Sequence, residues 1–254
     1  MSTVAIDLNA DLGEGFGRWS LTDDSGLLDV VTSANVACGF HAGDPETMRR
    51  VCEIAAERDV AIGAHVAYRD LAGFGRRAMD VPARQLAGEV AYQVGALEAF
   101  ARAAGTVVSY VKPHGALYNR TVHDQEQAQA VVDGVVLAGA RPILGLPGSR
   151  LLAAAEAAGC EPVPEAFADR AYLADGTLAP RGREGAVVEE ADAVVSRSVQ
   201  IAHGRPLATL DGDPLTVSAR SLCVHGDTAG AVDLAVRVRA ALEEADVDVR
   251  SFLS

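Results

Sequence analysis

Short, continuously apolar runs alternate along this chain with longer amphipathic stretches, and that rhythm restricts the fold more than any other feature. The runs occupy residues 4–8, 34–38, 60–66, 106–111, 142–146, 162–167 and 221–224. None alternates apolar with polar, as a strand with one wet face would. Strands apolar on both faces belong to a parallel sheet covered on both sides. Helices are predicted between them. Asp44-Pro45 supplies an N-cap and a proline at the first helical position, leading into residues 46–58. Residues 81–104 place Leu86, Val90, Val94, Leu97 and Phe100 at helical spacing and stop at Gly105. Residues 123–138, 149–158, 189–202 and 228–245 read the same way, and residues 247–252 as a closing strand.

Strand–helix alternation with short connections specifies a parallel α/β fold. Seven or eight such units in 254 residues favour a TIM-like (β/α) barrel in one domain, residues 1–254, over the alternative open sheet. Two segments break the rhythm. Residues 168–184 form a long Gly/Arg/Asp-rich loop, of a length usually given to lids and binding loops. Residues 207–217 predict a hairpin turning at Asp211-Gly212.

Composition narrows the function classes. No run approaches the ~20 apolar residues of a membrane span. The first residues lack the basic start of a secretory signal, so a soluble, cytoplasmic protein is expected. A net charge of −13 repels a phosphate backbone, which argues against nucleic acid. It leaves room for a small anion held by a local cation. Cys38, Cys52, Cys160 and Cys223 include no CxxC pair and read as reduced, mostly buried small hydrophobes.

The polar residues cluster at the ends of the apolar runs. Asp7, Asn9 and Asp11 end the first. Asn35 and His41 end or follow the second, and His65 ends the third. Lys112 and His114 end the fourth; Asp169 and Arg170 follow the sixth; His225 and Asp227 end the last. In a parallel barrel these ends share one face, where active sites are built. Four of the six histidines fall there, with His123 and His203 set apart. Lys112 stands out further. Of 22 basic residues it is the one lysine, which points to a place where a compact, movable charge is required and a guanidinium does not fit.

The Gly-rich, acidic segment 7–17 is not a Walker loop, because no Gly-Lys-Ser/Thr follows. Asp44 and Asp227 each precede a helix and read first as N-caps. Asp11, His41, His65 and His114 together form a set that also suits a divalent metal, though no tight His spacing supports one. The metal site is therefore left unassigned.

Six segments carry a resemblance: Asp7–Gly17, Ser33–Asp44, Gly63–His65, Val111–Asn119, Ala168–Tyr172 and Val224–Asp227. In order and content they resemble the LamB/YcsF family, the A subunits of bacterial 5-oxoprolinases. The resemblance implies cleavage of 5-oxoproline to L-glutamate with hydrolysis of ATP to ADP and phosphate, in a complex with B and C subunits. ATP is implied as co-substrate, with Mg²⁺ accompanying it. Asp11, His65, Lys112 and His114 become the expected catalytic residues. Asn9, Asn35, His41, Asp169, Arg170, Arg181, His225 and Asp227 become the expected substrate- or nucleotide-binding residues. Two alternatives remain. A more distant likeness to deacetylase-like barrels leaves a metal-dependent deacetylase or carbohydrate-active enzyme as one. The other is a subunit that binds substrate without catalysing. Those barrels carry a second acid directly after the Asp matched by Asp11. Leu12 stands there in this chain, which favours a metal-free cleft, or Mg²⁺ arriving with ATP.

Overall fold

A computed structural model describes residues 4–225 and 230–253. In chain order the elements are β1 (Val4–Leu12), α1 (Asp24–Leu28), β2 (Ser33–Ala37), α2 (Pro45–Glu57), β3 (Ala61–Val66), α3 (Ala83–Ala103), β4 (Val108–Pro113) and α4 (Gly115–Arg120). They continue with α5 (Gln125–Leu137), β5 (Ile143–Gly145), α6 (Arg150–Ala157), β6 (Pro162–Phe167), α7 (Ala191–Ala202), β7 (Leu207–Ala208) and β8 (Pro214–Leu215). The last are β9 (Ser221–Val224), α8 (Ala231–Glu244) and β10 (Val247–Val249).

The strands close a parallel ring in the order β1-β2-β3-β4-β5-β6-β9, with β9 pairing back onto β1. This is the expected TIM-like barrel, with seven strands in the ring. The predicted closing strand is shorter than expected. As β10 it pairs only with the first residues of β1, through Val4↔Val247 to Ile6↔Val249. β1 is long enough to serve two partners: its start holds β10, and Asp7–Ala10 pairs with β9. The predicted hairpin is present as antiparallel β7 and β8.

The helices form where the apolar spacing places them. Asp44 caps α2 by accepting from the backbone N–H groups of Glu46 (2.9 Å) and Thr47 (3.1 Å). Its second oxygen accepts from the Gly17 N–H at 2.8 Å, tying the helix start to the loop after β1. Asp44→Ala is expected to cost about 1–2 kcal/mol, the upper range for a lost cap, because two anchors go together. Chemical denaturation measures it. The N-cap expected at Asp227 lies outside the described residues. Helices α1 and α4 had no signal, since elements of five or six residues show no periodicity.

One hydrophobic cluster fills the space between ring and helices, including Leu8, Leu12, Val36, Val51, Ile62, Leu86, Val90, Leu97, Val131 and Leu222. The inside of the ring differs. Barrel interiors are usually filled by layers of branched apolar side chains. Here a polar column rises along the axis. At its base Asp7 accepts from Ser33 Oγ (2.6 Å), Thr32 Oγ1 (2.7 Å) and Ser221 Oγ. Burial pushes the Asp7 carboxyl up to about 6, against these hydrogen bonds.

A carboxyl raised by folding stabilises the protein while protonated. Its contribution is complete below the unfolded value near 4 and is lost as pH rises through about 6. Two units correspond to about 3 kcal/mol at most. Asp7→Asn is therefore expected to gain stability relative to the parent as pH rises from 4 to 7. Melting temperatures of both proteins across that range measure it.

Candidate active site

Above Asp7 the column becomes an ionic cluster centred on Lys112. Residues two apart on a strand share a face, so Asn9 and Asp11 on β1 both point inward. The register sets Asp11 beside Asn35 and His65 beside Lys112. Lys112 Nζ reaches Glu165 Oε1 at 2.7 Å, Asp11 Oδ1 at 3.2 Å, Asn9 Oδ1 at 3.3 Å and Cys223 Sγ at 3.2 Å. It also lies 5.2 Å from the centre of the Phe167 ring. Asn9 donates to Glu165 (2.9 Å) and Ser221 (2.6 Å). Asn35 donates to Asn9 (2.7 Å) and Asp11 (2.9 Å), and accepts from the Tyr110 hydroxyl at 2.7 Å.

Burial opposes charge on Lys112, but Asp11, Cys223 and Glu165 outweigh it and hold the amine well above its ordinary value. Burial likewise opposes charge on Asp11, and there His65 and Lys112 win, holding the carboxyl well below the usual range. Both groups stay charged across the working pH range. A guanidinium fork could not sit among four partners this close, which accounts for the one lysine in an Arg-rich chain.

Beside this cluster stand three histidines. His41 stacks on His114 with ring centres 3.8 Å apart and planes 7° from parallel. His65 meets both rings edge-on. Glu14 Oε1 lies 3.2 Å from His41 Nε2 and 3.6 Å from His114 Nδ1. Ligand-capable atoms of Glu14, His41, His65 and His114 all fall within 4.8 Å of one another, as do those of Asp11, Cys223 and His225. Burial above all, and then the neighbouring rings, pull His41 and His114 well below the ordinary histidine value.

These residues floor an open cavity of about 650 Å³. Its lining includes Asp11, Glu14, His65, Lys112, His114 and His225. The loop after β6 forms one wall, through Leu173 and Thr177 to Arg181, as its length suggested. Arg170 is buried under that wall and donates to the carbonyls of Ala179 (2.6 Å) and Ala186 (3.3 Å), which hold the loop in shape. Burial lowers this guanidinium to about 10. Across the cavity His225 Nδ1 and Asp169 Oδ2 are 2.6 Å apart. Burial opposes charge on His225, but Asp169 outweighs it and raises the ring above its ordinary value. Arg181 lies 3.4 Å from His225 Nε2.

The structure brings together Asn9, Asp11, Asn35, His41, His65, Lys112, His114, Asp169, Arg170, Arg181 and His225. Asp227 lies outside the described residues. His123, set apart on sequence, belongs to the rim: it lines the outer mouth because α4 turns the chain back beside the cavity. His203 lies elsewhere, 3.1 Å from the Ala245 carbonyl. Sequence reasoning missed Glu165, Cys223, Ser221 and Tyr110. Glu165 did leave a signal, as a lone acid inside an apolar strand run. Tyr110 and Cys223 left none, since both suit a buried strand. All four cysteines are free and buried, as expected.

Residues 6–254 match the LamB/YcsF family. The chain belongs to the LamB/YcsF family. It is 71% identical to the A subunit of 5-oxoprolinase from Streptomyces avermitilis, over 97% of this chain and 99% of that one. It is 68% identical, with the same coverage, to the protein of that name from Streptomyces coelicolor. Among solved structures it is similar to a lactam utilization protein from Thermus thermophilus, with a TM-score of 0.91 and 39% identity over 98% of this chain and 100% of that one. No helix among the described residues is long and apolar enough to cross a membrane.

Proposed function

We propose that this chain is the A subunit of a 5-oxoprolinase, acting with B and C subunits to convert 5-oxoproline, ATP and two waters into L-glutamate, ADP and phosphate. The observation that carries this reading is a buried lysine–carboxylate cluster at the floor of a cavity, in a chain 71% identical to a protein of that name. A five-membered lactam resists hydrolysis, so phosphorylating its oxygen is the step that makes the ring carbon electrophilic. Water then adds to that carbon, the C–N bond breaks with a proton delivered to nitrogen, and a second water releases phosphate from the resulting acyl phosphate.

The residues present suit these steps. Lys112 stabilises charge on the lactam or phosphoryl oxygen. Asp11, held ionised, orients and polarises the attacking water. For the proton to the leaving nitrogen the geometry favours His225 over His114. Asp169, 2.6 Å from Nδ1, raises His225 above its ordinary value, and its Nε2 has only the longer 3.4 Å contact with Arg181 among the described residues. His114 is already engaged by the Phe74 carbonyl at 2.9 Å and by His65 at 3.0 Å. Asp11 is likewise favoured over His65 for water activation, because both ring nitrogens of His65 have partners. Arg76, Arg170 and Arg181 line the cavity of an otherwise acidic protein, and suit the substrate carboxylate or the phosphates.

The test is glutamate release from 5-oxoproline by this chain alone, by its partner subunits alone and by all together, each with and without ATP. Release that needs every component supports the reading. Undiminished release from the partner subunits without this chain would overturn it.

A further inference from the structure

We propose that Glu14, His41, His65 and His114 form a site for one divalent transition-metal ion of the zinc type, open to the floor of the cavity. Leu12 pointed to a metal-free cleft, but the ligand set proposed here uses Glu14, two residues further on. The four side chains are buried, and their ligand-capable atoms crowd one point. Glu14 Oε1 to His41 Nε2 is 3.2 Å, His65 Nε2 to His114 Nδ1 is 3.0 Å, and Glu14 Oε1 to His114 Nδ1 is 3.6 Å. Zinc bonds of about 2.0–2.1 Å in a tetrahedron space the ligands about 3.3 Å apart. The three distances bracket that spacing.

Hydrogen-bond directions carry the argument further. His65 Nδ1 faces the Lys112 carbonyl at 3.1 Å, and His114 Nε2 faces the Phe74 carbonyl at 2.9 Å. A carbonyl oxygen only accepts, so each of these nitrogens bears the hydrogen. The opposite nitrogens are then the ones that can offer lone pairs to a metal, and they face each other at 3.0 Å. Two carboxylates add to the same space, with Glu14 as above and Asp11 Oδ1 3.3 Å from His65 Nε2. Acceptors this close repel unless a cation lies among them. An added proton relieves one contact, whereas one divalent ion satisfies all four groups. Histidines whose outer nitrogens are fixed by backbone carbonyls are also the usual arrangement around a bound metal. His41 is instead oriented by its stack on His114 and its edge contact with Phe74.

The donor set names the class of ion. Three imidazoles and one carboxylate select zinc, cobalt, nickel or iron and discriminate against magnesium, which prefers oxygen and water. Glu14, His65 and His114 line the cavity, so an ion there is reachable from it and sits beside Asp11.

The test uses the untagged full chain, stripped with a chelator and titrated with Co²⁺, Zn²⁺ and Mg²⁺. One Co²⁺ per chain is expected, with visible absorption bands of a nitrogen-ligated ion, displaced by Zn²⁺ and not by Mg²⁺. Glu14→Gln and His114→Gln, checked for folding by circular dichroism, should weaken uptake by at least about 10–100-fold, the loss found for outer partners of metal ligands. A folded parent chain that takes up neither Co²⁺ nor Zn²⁺ would sink the proposal, and so would folded variants that bind as well as the parent. If the variants do not fold, the parent's cobalt spectrum and zinc-dependent melting shift decide alone. Because the readout is ion uptake rather than turnover, it stands apart from the reaction proposed above.

Discussion

Lys112→Met is expected to destabilise the fold by about 3–5 kcal/mol and to lower glutamate release by the assembled enzyme about 10³-fold. The stability loss follows from the charges left behind. Glu165 is fully buried and Asp11 nearly so, and both lose the cation 2.7 and 3.2 Å away. The activity loss follows from removing a fixed positive charge at the cavity floor. The two effects separate in a double variant. Removing the acid as well, in Lys112→Met with Glu165→Met, should recover part of the stability, because paired charges replaced by apolar groups are often tolerated. It should recover none of the turnover. Lys112→Arg is also expected to fail, since a guanidinium cannot fit among Asn9, Asp11, Glu165 and Cys223. Denaturation curves and turnover of the three proteins check these outcomes. Full activity from a well-folded Lys112→Arg protein would remove Lys112 from the chemistry.

Gly63→Ala is expected to cost about 3 kcal/mol or more, the upper range for overpacking a core, and to impair activity although no catalytic group changes. Gly63 lies on β3, facing the axis of the ring. A methyl group there would run into the Tyr110 ring. Tyr110 is fully buried and cannot swing aside, and its hydroxyl holds Asn35, which in turn donates to Asn9 and Asp11. Displacing the ring therefore loosens the hydrogen bonds that aim Asp11. The expected signature is a lower melting temperature together with reduced turnover. Tyr110→Phe separates the two parts. It keeps the ring and removes the hydroxyl, leaving the Asn35 carbonyl short of a donor, so a smaller loss of about 1–3 kcal/mol is expected.

Much of this architecture is legible in the order of residues. Continuous apolar runs force strands covered on both sides, and the helical spacing of Leu86, Val90, Val94 and Leu97 fixes what covers them. Asp44-Pro45 marks the start of α2 to the residue. The strand-end clustering of Asp11, His65, Lys112 and His225 marks the site, because a parallel barrel delivers those ends to one rim. These features depend on neighbours a few residues apart, so the chain records them locally.

The pairings across the barrel were beyond the sequence. Glu165 meets Lys112, Asn9 meets Ser221, and Tyr110 reaches past β3 to Asn35, over separations of 53, 212 and 75 residues (165 − 112 for the first). His123 joins the rim only because six residues of α4 turn the chain back. The sequence alone determined which residues could be polar inside a closed parallel ring. The tertiary structure decided which oxygen faces which nitrogen, because strand register and tilt set those distances and leave no periodic trace in the chain.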